Sequence, residues 1–151
     1  MKEVSRRAAL LLGASGAALT IVGWNGAALA SAKDAAEDIA KFTGGKKAEE
    51  GKVSIELPEI AENGNTVPLS VSVQSPMTDA DYVTDVLVVA DGNPRPGVAT
   101  FHFSPLSGKA EASTRIRLAT TQNIIAVAKT NKGEFFTAQK LVKVTIGGCG
   151  G

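Results

Sequence analysis

Residues 67 to 73 read Val-Pro-Leu-Ser-Val-Ser-Val, with an apolar side chain at each odd position and Pro or Ser at each even one. Successive side chains of an extended strand point to opposite sides, so this stretch forms a β-strand with one face in a core and one in water. A helix would scatter the same residues around its circumference. Pro68 cannot donate to a ladder, which places it at an edge or a bulge. The same period extends outward. On the N-terminal side Val53, Ile55 and Leu57 alternate with Ser54 and Glu56. On the C-terminal side lie candidate strands over 82–90, 98–104, 110–118, 122–130 and 135–146. Turn signals separate them: Asn63-Gly64-Asn65, Asp91-Gly92-Asn93-Pro94, Ser107-Gly108 and Asn131-Lys132-Gly133. Seven strands in about a hundred residues, with no helices between them, predict an all-β chain, an immunoglobulin-like antiparallel β-sandwich over residues 51–146.

Two of these strands, around Val86–Ala90 and Ile124–Ala128, are apolar on both faces. Sandwich strands normally leave one face to water, so a second cover is expected, either the N-terminal helix or a partner subunit. The helix is predicted over 31–45. Ser31 or Asp34 serves as its cap, Ala35, Ala36, Ile39, Ala40 and Phe42 form its apolar stripe, and Gly44-Gly45 stops it. Residues 1–30 read as an export signal. Adjacent Arg6 and Arg7 precede an uncharged stretch from Ala8 to Ala30, and Ala28-Leu29-Ala30 supplies a small-x-small cleavage pattern. Paired arginines before a mildly apolar segment are of the twin-arginine type, which predicts the periplasm and no membrane attachment after cleavage.

The 151 residues include 16 basic and 15 acidic side chains, one histidine and one cysteine. Removing Lys2, Arg6, Arg7 and Glu3 with the signal takes the net charge from +1 to about −1. That balance offers nothing to a phosphate backbone and excludes a nucleic-acid partner. One cysteine makes no internal disulfide. One Cys and one His leave an ordinary zinc site short of ligands, so neither metal nor cofactor is expected. Asp79, Asp81, Asp85 and Asp91 lack calcium-loop spacing, and His102 has no obvious nucleophile beside it. Asn93-Pro94-Arg95-Pro96-Gly97 reads as a rigid turn.

The last five residues are Gly147-Gly148-Cys149-Gly150-Gly151. Four glycines around one cysteine predict a flexible arm with nothing to pack, reaching at most about 16 to 18 Å when extended. No basic residue is nearer in sequence to Cys149 than Lys143, so activation of the thiol falls to whatever site the arm enters. These features suit a tethered nucleophile on which other proteins act.

An export signal, a short helix, a sandwich and a terminal Gly-Gly-Cys-Gly-Gly together resemble the SoxY family, sulfur-carrying subunits of the bacterial thiosulfate-oxidising Sox system. The resemblance implies that Cys149 is the covalent attachment site and that Gly147, Gly148, Gly150 and Gly151 form its swinging arm. It implies a carrier rather than an enzyme, paired with an Ig-like SoxZ subunit. Thiosulfate would be joined to Cys149 as an S-thiosulfonate by haem-containing SoxAX, and sulfate released by the thiohydrolase SoxB. Where present, the dehydrogenase SoxCD would oxidise the remaining sulfane sulfur. The other reading open at this point is an exported Ig-like interaction module whose Cys149 only forms intermolecular disulfides.

Overall fold

The computed structural model describes residues 26–148, with the backbone alone for 26–30. The candidate signal residues Arg6 and Arg7, and Cys149, Gly150 and Gly151, lie outside the described residues. Helix α1 (Gly26–Thr43) precedes nine strands: β1 (Glu49–Glu50), β2 (Val53–Glu56), β3 (Ile60–Asn63), β4 (Val67–Val73), β5 (Val83–Ala90), β6 (Gly97–His102), β7 (Ala110–Ile116), β8 (Gln122–Thr130) and β9 (Phe135–Ile146). The larger sheet runs β1-β9-β8-β5-β6 with β3 also on β9, and the smaller runs β2-β4-β7. Their facing sides share one core, in which Val86, Val88, Ile124 and Ala126 of the larger sheet join Leu69 and Val71 of the smaller.

The expected sandwich is present and all seven anticipated strands form. β1 and β3 are additional, and both run parallel to β9, so the sheet is not purely antiparallel. β1 has only two residues and β3 reads Ile-Ala-Glu-Asn, so neither displays a period. β9 pairs with β8 from Phe135 to Val142 and then with β3 from Lys143 to Ile146. β4 is the middle strand of its sheet, not an edge. Pro68 is accommodated because β2 reaches only Ser70, leaving Pro68 opposite Arg115 of β7 alone.

The helix settles what covers the double-faced strands. Val89 and Val127 are 0% and 1% exposed, yet neither belongs to the core between the sheets. They lie on the outer face, where α1 packs against β5. Ala35 is buried there, and Phe42 meets Phe135 edge-on with ring centroids 6.1 Å apart. The helix begins upstream of the expected start because Ala27 to Ala30 are good helix formers. Ser31 is therefore an interior residue rather than a cap, and its hydroxyl donates to the Asn93 carbonyl. Ala36 and Ala40 of the expected stripe are exposed. Gly44-Gly45 stops the helix as anticipated. Both have positive φ, and the Gly45 amide donates to the Ala40 carbonyl (3.0 Å), the six-residue bond of a Schellman ending.

Candidate functional site

Three chain segments meet where the tail leaves the sandwich: the β3–β4 turn at Gly64, the loop Arg117–Ala119 after β7, and Ile146–Gly148 after β9. Backbone hydrogen bonds link them in sequence. The Gly64 amide donates to the Ile146 carbonyl (2.7 Å), the Leu118 amide to the Gly64 carbonyl (2.8 Å), and the Gly148 amide to the Leu118 carbonyl (2.9 Å). Each segment thus satisfies a group that another would leave unpaired. Asn63 prepares the turn, its side-chain oxygen accepting from the Asn65 amide (3.0 Å).

This meeting requires residues without side chains. A Cβ on Gly147 would be driven into the Ala119 carbonyl, and one on Gly148 would stand 2.7 Å from the Gly64 carbonyl oxygen. Gly148 is buried. The expectation that nothing in the tail packs is corrected for these two residues: Gly147 and Gly148 are glycine because backbone lies against backbone. Cys149 is the next residue after the seated Gly148.

The loop that receives Gly148 is itself held from behind by Asn93, which is 3% exposed. The Asn93 amide nitrogen donates to the Arg117 carbonyl (2.8 Å), and its oxygen accepts from the Ala119 amide (2.9 Å) and from Gln122 Nε2 (2.8 Å). On the tail side, the Val144 amide donates to Thr121 Oγ1 (2.9 Å). Sequence reasoning placed Asn93 in a rigid turn and missed this role. A Gly-Asn-Pro run favours a turn whatever its side chain touches.

The other candidates disperse. Asp85 and His102 stand opposite each other on β5 and β6, with Nδ1 and Oδ1 2.5 Å apart on an open surface. Asp81 pairs with Lys132 (2.7 Å), and this hydrogen bond holds the Lys132 ammonium above its ordinary pKa. Asp91 hydrogen-bonds Asn123 at the far end of β5. Among the described residues no three His, Cys, Asp or Glu side chains gather as a metal site, and no helix is long and apolar enough to cross a membrane.

The family model for sulfur oxidation protein SoxY matches residues 39–149, a span that runs from the helix through the sandwich to the cysteine. The chain belongs to the SoxY family. The sulfur carrier protein SoxY from Chlorobium limicola f thiosulfatophilum is 34% identical, with a TM-score of 0.64 over 76% of this chain and 99% of that one. A superoxide reductase (neelaredoxin) from Ignicoccus hospitalis superposes with a TM-score of 0.56 at 20% identity, covering 62% of this chain and 80% of its own. At that identity the likeness concerns the fold alone. No curated protein gives a match to the chain.

Proposed function

We propose that this SoxY family member is a periplasmic covalent carrier of sulfur intermediates in thiosulfate oxidation, with Cys149 as the attachment site. The observation that carries the reading is the sole cysteine set one residue beyond a seated Gly148, inside the span that matches the family. The SoxY of Chlorobium limicola, described as a sulfur carrier protein, supports the same role.

In the first step the Cys149 thiol loses its proton, a sulfur–sulfur bond forms to the terminal sulfur of thiosulfate, and two electrons pass to the haem protein SoxAX. Water then cleaves the outer sulfur–sulfur bond at SoxB, releasing sulfate and leaving a persulfide. SoxCD, where present, withdraws six electrons from the outer persulfide sulfur as three waters supply its oxygens, and hydrolysis of the resulting sulfonate releases a second sulfate and restores the thiol. The chain supplies a thiol and a mount, while the partner enzymes supply the chemistry. SoxZ is the proposed stable companion. Export by the twin-arginine signal at Arg6 and Arg7 delivers the folded chain to the periplasm. Gly150 and Gly151 add no side-chain bulk beside the loaded sulfur as it enters narrow sites.

Reconstitution tests this. Thiosulfate oxidation by the purified partner enzymes should require this chain and be abolished by Cys149→Ser, with the circular-dichroism spectrum of the sandwich unchanged. Turnover that survives the substitution would refute the attachment site.

A further inference from the structure

The larger sheet ends at β6 and the smaller at β7, on the same side of the sandwich. Between these two edges lies an open cleft of about 360 Å³ whose walls include Arg95, Arg115, Arg117, Thr114 and Asn93. These are all the arginines outside the candidate signal. None of the three is ion-paired among the described residues, where the ion pairs use lysine or histidine. A carboxylate near the Gly97 wall, Asp38, is itself paired with Lys41 at 3.7 Å. A chain with no overall basic surplus has thus gathered its uncommitted arginines around one concavity.

Arginine presents a rigid fork of donors that matches the oxygens of an oxoanion, whereas lysine offers a point charge. The cleft and the seat of the tail share the loop after β7. Arg117 directly precedes Leu118, whose carbonyl receives the Gly148 amide, and Asn93 belongs both to the cleft and to the framework of that loop. We propose that the cleft is a noncovalent site for a small sulfur oxoanion of the thiosulfate or sulfate class, on the body that carries the covalently loaded tail. The choice of sulfur oxoanion rests on the carrier reading; the site itself rests on the arginines and the concavity.

The test uses the full-length Cys149→Ser chain, in which no covalent loading occurs. Calorimetric titration with sodium thiosulfate, against sodium chloride at matched ionic strength, should show saturable binding specific to thiosulfate. Arg115→Gln with Arg117→Gln should weaken it about tenfold or more, while Lys109→Gln, just before β7, leaves it unchanged. The arginines are exposed, so the folded state of the double variant is checked by its melting curve. Absence of saturation beyond chloride, or binding indifferent to the arginines, overturns the site. Phosphate binding tighter than both thiosulfate and sulfate overturns the assignment to sulfur oxoanions. Because this binding is read without Cys149, its failure leaves adduct formation on the parent chain intact, and failure of adduct formation leaves it intact.

Discussion

A methyl group added at Gly64 would collide with the Leu118 carbonyl and crowd the Gly148 amide. Gly64→Ala should therefore destabilise the domain by about 1 to 3 kcal/mol, the usual cost of forcing extra volume into packed structure. Urea unfolding measures this; an unchanged midpoint would show that the three segments do not depend on close approach. Asn93→Ala leaves the Ala119 amide and Arg117 carbonyl without their partner and should cost about 2 kcal/mol or more in the same assay. The proposed attachment residue was legible in the sequence because its signal is local: five consecutive residues contain it. The seating of Gly147 and Gly148 was not, because the atoms that demand glycine belong to Gly64 and Ala119. Asn93 was hidden for the same reason, with partners 24 to 29 positions further along the chain. A valine at Gly148 would consequently disturb both the mount and the arm, so loss of turnover in that variant does not isolate flexibility.

Helix α1, the outer face of β5 and the start of β9 form a small second core. Phe135 stands in it, 6% exposed and in contact with Phe42. Phe135→Ala should cost about 3 kcal/mol, in the range for large buried aromatics. Hydrogen exchange should show α1 losing more protection than the β4–β7 pair. Equal loss throughout would mean that the helix and sandwich unfold as one unit. The strands were readable where one face is wet, as in β4, because the period of two is then written in side-chain polarity. In β5 and β8 that alternation is overwritten by the helix on the outer face, and the sequence left helix and partner as equal alternatives. β1 and β3 carry no pattern, since their place depends on β9 rather than on their own residues.

For the whole molecule, the sandwich supplies rigidity, the segment from Arg117 to Ala119 links it to the tail, and the tail carries the thiol. The proposed export fits this plan if SoxZ travels with the folded chain, since partners in the same compartment would supply the redox chemistry. The proposed complex with SoxZ should appear as a second small subunit that co-purifies with the chain and adds one protomer's mass in native mass spectrometry. A stable monomer at cellular concentration would contradict it. Neither partner nor compartment is carried by the described residues. The pointers to them are the candidate signal and the family, whereas the sandwich was legible from the alternating strands and the turn signals between them. The most direct test of the carrier role is an intact-mass spectrum of the protein purified from thiosulfate-grown cells. Sulfur or thiosulfonate adducts that are removed by reductant and absent from Cys149→Ser are the expected result. A chain found only as free thiol or disulfide-linked dimer would contradict it and leave an interaction module in its place.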